Sequence, residues 1–245
     1  MKMQIDFSDK RVLVTGGTDA IGRGTVEGFL AHGARVAVHG PDAESVSSTI
    51  AALGGDARLV AVPGNLTTAS GCKHVVEQAV AALGGLDVLV NAAAQRDDKA
   101  FEEVSPDSWA NTLNGTFKAA LFCTQQAAPS LKASGGNVVN IASIVGVMGG
   151  PSGTTAASAA AGSIINLTRM SALRLGVDGI RVNCLCPGVI TDPEATQGAV
   201  AEAPTVGRPG TVDDMTGTIL FLSSPYAGFM TGSIIVNDGG KTAGT

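Results

Sequence analysis

The sequence has few aromatic and few charged residues. Phe, Trp and Tyr make up 4% of its 245 residues, with a single tyrosine and a single tryptophan, and charged residues make up 15%. The formal net charge of −5 argues against nucleic acid as a partner, because phosphates call for a basic surface. No segment has the long apolar run of a signal peptide or a membrane span. We therefore expect a cytoplasmic protein without a membrane or nucleic-acid partner.

Cysteine and histidine are also scarce, and their spacing matches no metal site. The four cysteines form no Cys-x-x-Cys pair, and the three histidines are isolated from one another in the chain. This spacing predicts reduced, packed thiols and no bound metal. The residues concerned are Cys72, Cys123, Cys184, Cys186, His32, His39 and His74.

Short apolar runs alternate with longer helical patterns along the whole chain. The runs lack polar alternation, which is typical of strands buried on both faces of a parallel sheet. Strands are predicted to begin at Arg11, Arg35, Arg58, Asp87, Asn137, Arg181 and Ser233. Helices are predicted over 21–31, 42–53, 69–83, 106–131, 155–175 and 212–223, with Ser105 and a Thr211–Asp214 capping box at two of the starts.

This alternation predicts an α/β fold with a doubly wound, seven-stranded parallel sheet and helices on both faces. No linker, repeat or charge block divides the chain, so residues 1–245 are predicted to form one domain. Segment 193–209 is rich in Gly, Pro and Ala but has few large apolar residues. We expect it to be a mobile insertion on the substrate side, because long irregular segments are often functional.

The segment TGGTDAIGRG, from Thr15 to Gly24, follows the first strand and opens the first helix. Gly16 permits a tight turn, and Gly22 lets the helix sit close to the strand. The N–H groups of the helix N-terminus then face outward with the positive end of the helix dipole. The segment therefore predicts a site for a dinucleotide pyrophosphate.

The same segment resembles the TGxxxGIG fingerprint of the short-chain dehydrogenase/reductase family. Thr15, Gly16, Ile21 and Gly22 match the fingerprint, whereas Ala20 replaces its middle glycine. Further motifs follow in the family order, including NAAA from Asn91, NIAS ending at Ser143 and CPGVITD from Cys186. The resemblance implies a Rossmann fold and an NAD(P)-dependent oxidoreductase acting on a small molecule. The cofactor-binding residues that it implies are Gly16, Thr18, Ile21, Gly22, Asn65, Asn91, Pro187, Gly188 and Thr191.

The family's catalytic tetrad of Asn, Ser, Tyr and Lys is incomplete in this sequence. The resemblance puts Asn114 and Ser143 at the first two positions, but aligns Thr155 with the tyrosine and Ala159 with the lysine. The only tyrosine, Tyr226, is distant in the chain. Thr155 is the remaining hydroxyl candidate, yet a threonine does not ionise at useful pH. Ordinary hydride transfer is therefore expected to be weak or absent.

The choice between NAD and NADP is usually made at the end of the second strand. Gly40 and Pro41 occupy the two diagnostic positions, so neither the acidic nor the basic signal is present. Asp19 in the phosphate loop would repel the 2′-phosphate of NADP, which favours NAD. His39 could touch the adenosine end, but an ordinary residue at a strand end is the favoured interpretation.

Three hypotheses for function follow, in this order. The first is a divergent oxidoreductase whose proton donor is one of Asp97, Asp98, Lys99, Asp192 and Glu194. The second is a catalytically inactive binding subunit. The resemblance implies a homodimer or homotetramer built on helices 106–131 and 155–175, and such a subunit could also pair with an active relative. The third is non-redox lyase or isomerase chemistry that uses Ser143, with Cys186 considered as a nucleophile but favoured as a packing residue.

Overall fold

A sheet of seven parallel strands is the framework of the protein. The structure is a computed structural model that describes residues 4–95, 99–151, 153–191 and 204–244. The strands are β1 Arg11–Thr15, β2 Arg35–Gly40, β3 Leu59–Pro63, β4 Val88–Asn91, β5 Asn137–Ile141, β6 Arg181–Pro187 and β7 Ile234–Asn237. Their spatial order is β3-β2-β1-β4-β5-β6-β7. The order reverses between β1 and β4, which is where sheets of this kind bind ligands.

Helices cover both faces of this sheet, so the predicted doubly wound Rossmann architecture is confirmed. The helices are α1 Ala20–Ala31, α2 Ala43–Ala52, α3 Ala69–Leu83, α4 Pro106–Leu113, α5 Ala119–Ser134, α6 Thr155–Leu175 and α7 Val212–Ser223. Apolar side chains of α1, α2 and α7 pack on one face. Those of α3, α5 and α6 pack on the other.

The predicted helix over 106–131 is wrong in one respect, because a wider turn interrupts it. Helix α4 ends at Leu113, Asn114–Lys118 form a π-helical turn, and α5 then runs to Ser134. The capping predictions are confirmed. The Ser105 hydroxyl accepts from the N–H of Ser108 at the start of α4, and Thr211 forms a capping box with Asp214 at α7.

The end of the predicted insertion lies across the carboxyl edge of the sheet. The Val206 N–H donates to the carbonyl of Gly239, and the Gly210 N–H donates to that of Val189. Most of 193–209 lies outside the described residues, so its mobility stays a prediction. Within the described parts of the chain, no helix combines the length and the apolarity needed to cross a bilayer.

Candidate active site

The glycine-rich loop between β1 and α1 has the tight turn that the sequence predicts. Gly16 has φ +64°, and a Cβ on it would lie 2.7 Å from Cα of Ala93. A Cβ on Gly22 would overlap the carbonyl oxygen of Gly16, so α1 can approach the loop only with glycine there. The N-cap residue Asp19 makes no side-chain cap to α1. The first-turn N–H groups of α1 are therefore available to an anion.

Two polar residues at the ends of β1 and β4 join neighbouring parts of the sheet beside this loop. The Thr15 hydroxyl oxygen accepts from the N–H groups of Ala92 and Ala93, at 3.2 and 3.3 Å. The Asn91 side chain is buried and donates to Oδ1 of Asn140 at 2.8 Å. Asn91 was predicted to bind the cofactor, but its side chain points into the protein interior and joins β4 to β5.

A cleft of about 460 Å³ extends from the loop towards the ends of β2 and β3. Three of the predicted cofactor-binding residues line it: Gly16, Thr18 and Asn65. The Asn65 side-chain oxygen Oδ1 accepts from the N–H of Thr67 at 2.8 Å, which shapes the turn after β3. Asp19 is the one charged side chain among the described residues that line this cleft.

His39 at the end of β2 is buried beside this cleft, with 4% of its surface exposed. Its Nδ1 accepts from the N–H of Gly16 at 3.1 Å, and its Nε2 lies 3.0 Å from the carbonyl oxygen of Gly64. Burial lowers the pKa of His39 below 6.5, although the Gly64 carbonyl acts in the opposite direction. The ring is therefore neutral, with its proton on Nε2. His39 is thus a buried strand-end residue that bonds to two segments of the cleft, and its contact with the adenosine end stays a prediction.

The cofactor-binding residues predicted at the end of β6 and just after it lie near the start of α1. Pro187 is buried at the end of β6, and a Cβ on Gly188 would lie 2.7 Å from Cα of Asp238. The Thr191 N–H donates to the carbonyl of Gly210 at 3.0 Å. Thr191 also lines a groove of about 340 Å³ with Ala20 at the start of α1. Ile21 is half-buried and packs against the core, so it supports the helix start.

A second pocket of about 230 Å³ adjoins the cleft, and Ala94 and Gln95 line both. Ser143 lines this pocket, as predicted, and its Oγ accepts from the N–H of Val145 at 3.4 Å. The remaining lining residues are Thr116, Ile141, Ala142, Val145, Gly153, Thr154, Ala157, Ala161 and Ile164. None of the described residues that line the pocket carries an ionisable side chain.

Thr155 and Ala159, the predicted counterparts of the tyrosine and the lysine, do not line the Ser143 pocket. Helix α6 begins at Thr155, and the residues that line the Ser143 pocket are Thr154, Ala157 and Ala161. Each residue rotates about 100° around a helix axis, so Thr155 and Ala159 lie about 200° from Ala157 and Ala161. The helical spacing of the buried residues Ala161, Ile164 and Thr168 could have revealed the inward face.

The predicted site residue Asn114 does not line the pocket either; Thr116 takes that place. The Asn114 side-chain oxygen accepts from Nζ of Lys118 at 3.2 Å, and the same Nζ donates to the carbonyl of Thr67. The Thr116 hydroxyl oxygen accepts from the N–H of Gln95 at 2.9 Å. The π-helical turn changes which residues of this helix face Ser143, and the apolar periodicity of the sequence carries no signal for that turn.

The candidate substitute acids are not in the described pocket lining. Asp97, Asp98, Asp192 and Glu194 lie outside the described residues. Lys99 is exposed to solvent. The hydroxyl of Tyr226 accepts from the N–H of Gln4 at 3.0 Å, so this phenol belongs to a different part of the surface.

Cys186 packs beneath the Ser143 pocket and is fully buried. Its Sγ lies 3.9 Å from that of Cys184, and both thiols contact the apolar face of α6. A hydrogen bond from Cys184 lowers the pKa of Cys186 and raises that of Cys184. The burial supports the packing role that the sequence favours for Cys186 over a nucleophilic one.

Comparisons with known proteins cover nearly the whole chain. A family model described as enoyl-(acyl carrier protein) reductase matches residues 16–242. A probable galactose dehydrogenase of Rhizobium meliloti is 36% identical over 247 residues, which cover 96% of each chain. A putative short-chain alcohol dehydrogenase from Sinorhizobium meliloti has a similar structure, with TM-score 0.89, 29% identity and 98% coverage of both chains. A blue fluorescent protein from a metagenomic library, solved with NADPH, has TM-score 0.88 and 29% identity, with 96% of this chain and 99% of that chain covered.

Proposed function

Because the chain belongs to the short-chain dehydrogenase/reductase family of NAD(P)-dependent oxidoreductases, we propose that it binds NAD but has weak or absent hydride-transfer activity. The observation that carries this proposal is the lining of the Ser143 pocket. Ala157 and Ala161 face Ser143 from α6, and no described lining residue has an ionisable side chain that could act as a general acid at neutral pH.

The cleft fits a nicotinamide dinucleotide. Gly16 and Gly22 leave space that a Cβ would fill, so the loop backbone can approach a pyrophosphate closely. The N-terminus of α1 provides N–H donors, and Thr18 and Asn65 line the adenosine side. The solved relative in complex with NADPH supports the same class of cofactor.

The preference for NAD rests on the charge around the adenosine side. A 2′-phosphate would meet Asp19 and no cationic side chain among the described residues that line the cleft. A side chain at Gly40 would press against the Thr18 methyl group, 2.6 Å away, so an acid could not be added there without rearrangement. We therefore expect NAD to bind at least about tenfold more tightly than NADP, a difference of about 1.4 kcal/mol.

The described lining of the Ser143 pocket lacks a general acid for hydride-transfer chemistry. The nicotinamide ring, when bound, supplies or accepts a hydride. The Ser143 Oγ accepts from Val145, so its own proton is available to orient a carbonyl oxygen of a substrate. A positioned general acid is typically worth about 10²–10⁴-fold in rate. Its loss raises the barrier by about 3–5 kcal/mol, because each tenfold in rate corresponds to about 1.36 kcal/mol.

The experiment combines cofactor binding with restoration of the missing pair. Calorimetric titration with NAD and NADP tests the cleft. The double variant Ala157→Tyr/Ala161→Lys adds a phenol and an ammonium to the pocket side of α6. We expect this variant to exceed the wild type by about 10²–10⁴-fold in NADH-dependent turnover of a panel of ketones.

The matched control is Thr155→Tyr/Ala159→Lys, which adds the same two side chains to the other side of α6. It should leave turnover at the wild-type level. Two outcomes would contradict the proposal: failure of the wild type to bind either dinucleotide, or wild-type turnover within the common range of about 1–10³ s⁻¹. A gain in the control that matches the gain in the Ala157/Ala161 variant would contradict the assigned helix face.

The other sequence-based hypotheses stay predictions. These are assembly into a homodimer or homotetramer, pairing with an active relative, and lyase or isomerase chemistry. None of them is supported by a specific contact among the described residues. Burial of Cys186 removes the main nucleophile that the non-redox hypothesis considered.

A further inference from the structure

His39 holds two consecutive N–H groups of the phosphate loop. The ring Nδ1 accepts from Gly16 at 3.1 Å, and the backbone carbonyl of His39 accepts from Gly17 at 2.7 Å. Gly16 is the residue whose φ of +64° makes the tight turn. His39 therefore joins this turn to β2 through both its side chain and its backbone.

The same ring also reaches the segment that shapes the adenosine side. Its Nε2 donates to the carbonyl of Gly64 at 3.0 Å, and Gly64 immediately precedes Asn65. Both segments line the cleft of about 460 Å³, and His39 lies between them. A single buried imidazole thus joins the pyrophosphate side of the cleft to its adenosine side.

The donor and acceptor requirements make this role specific to few side chains. A backbone N–H can only donate and a carbonyl can only accept, so the residue must offer one acceptor and one donor at fixed separation. Neutral imidazole does this with the proton on Nε2. An aliphatic side chain of similar size could fill the space but would leave the buried Gly16 N–H without its partner, which is costly.

We propose that His39 is a positioning residue for the dinucleotide: its ring holds Gly16 and Gly64 in the arrangement that the cofactor requires before the cofactor arrives. This inference rests on the proposed binding of NAD in the cleft. Preorganisation of this kind raises affinity because the loop loses less freedom on binding.

The test compares variants that separate packing from hydrogen bonding. His39→Leu fills the space but accepts no hydrogen bond. His39→Asn keeps an oxygen close to where Nδ1 lies, and His39→Gln places its amide nitrogen close to Nε2. His74→Leu, on the exposed surface of α3, is the matched control. The two readouts are the Kd for NAD and the hydrogen-exchange rate of the Gly16 amide in the protein without cofactor.

We expect His39→Leu to raise the Kd for NAD about tenfold and to speed Gly16 exchange at least tenfold. His39→Asn keeps the acceptor for Gly16 but loses the donor to Gly64, so its Gly16 exchange should stay within about threefold of the wild type while its Kd rises by less than that of His39→Leu. His74→Leu should match the wild type in both readouts. Wild-type affinity together with wild-type Gly16 protection in His39→Leu would overturn the proposal. If His39→Leu does not fold, wild-type Gly16 exchange in His39→Gln, which loses the acceptor for the Gly16 N–H, would overturn it.

The two proposals can fail separately. If the wild type binds no dinucleotide, the proposed function fails. The exchange rate of Gly16 in the cofactor-free variants still decides whether His39 holds the loop. If the wild type binds NAD and the His39→Leu variant binds it equally well, only the positioning role is lost.

Discussion

Gly22 and Gly217 show how the surroundings of a residue decide the effect of the same substitution. Gly22 faces the carbonyl of Gly16 across the phosphate loop, so an added methyl group would meet rigid backbone. Gly217 lies in the interior of α7, and an added methyl group there meets nothing within 4 Å. Backbone cannot rotate away as a flexible side chain can, so the two sites respond in opposite directions.

The substitution Gly22→Ala is expected to destabilise the protein by about 1–3 kcal/mol, the usual cost of overpacking. It should also weaken NAD binding at least tenfold, because α1 must move away from the loop. Gly217→Ala is the control, and we expect it to stabilise by about 0.5–1 kcal/mol through the better helix propensity of alanine. Urea unfolding and calorimetric titration measure both effects. A Gly22→Ala protein with wild-type stability and affinity would refute the close approach of α1.

Side chains that face the site were predictable where a motif fixed their backbone position. Gly16, Thr18, Asn65 and Ser143 line the cleft or pocket as expected, since each follows directly after a strand. Thr155 and Asn114 do not line the pocket, because both lie on helical segments, where a shift of two residues rotates a side chain by about 200°. Gln95 was not considered as a site residue, and the contacts of His39 were not foreseen, because the partners of both residues lie far from them in the chain.

At the scale of an element, the close packing of helix α1 against helix α7 depends on glycines. Gly24 and Gly28 are four residues apart on one face of α1. A Cβ at Gly24 would overlap the Val212 side chain, and a Cβ at Gly28 would overlap the Thr216 methyl group. The two helices are therefore packed as closely as glycine allows, which keeps α1 against the sheet and its N-terminus at the cleft.

The Gly28–Thr216 contact predicts a compensating pair of mutations. Gly28→Ala should lower the free energy of unfolding by about 1–3 kcal/mol, because its methyl group overlaps that of Thr216. Adding Thr216→Ser removes the conflicting methyl group and retains the hydroxyl that bonds to Val212. We expect the double variant to recover at least half of the loss in a double-mutant cycle.

The control for this cycle is Gly28→Ala combined with Gly217→Ala, whose effects should simply add because Gly217 has open space around it. Additive effects in the Gly28/Thr216 pair as well would mean that α1 and α7 do not touch there.

The interruption between α4 and α5 was not predictable from periodicity. The π-helical turn Asn114–Lys118 contains one glycine and otherwise ordinary residues. It is stable in its tertiary setting, where Lys118 bonds to Asn114 and Thr67, and Thr116 bonds to Gln95. Such turns are frequent at functional sites, and this one brings Thr116 to the Ser143 pocket.

At the scale of the whole molecule, burial of a neutral histidine makes stability depend on pH. The pKa of His39 is lowered in the folded state, whereas the unfolded chain titrates near 6.5. Below that value the unfolded state binds more protons than the folded state, so the free energy of unfolding falls as pH falls. The contribution of neutral His39 is complete above about pH 6.5 and is lost progressively below it.

Urea unfolding between pH 5 and pH 8 tests this linkage. We expect the wild type to lose up to about 1.4 kcal/mol per pH unit below pH 6.5 through this residue. His39→Asn should give a flatter curve over the same range, because its amide does not titrate. The stabilisation from carboxylates with lowered pKa, such as Asp87, is present above their ordinary value of 3.8 and is lost only as pH falls below it, outside this range. Parallel stability curves for the wild type and His39→Asn would show that His39 does not cause the pH dependence.

The amino-acid sequence alone determined the order of strands and helices, the phosphate loop and the family. Each of these depends on local patterns: buried apolar runs, glycines at a strand end, and capping residues. Tertiary structure alone decided which helix faces meet Ser143, that Asn91 points inward, and that His39 joins the two sides of the cleft. The physical reason is that these contacts depend on the rotation of helices and the depth of burial, which are set by packing between segments far apart in the chain.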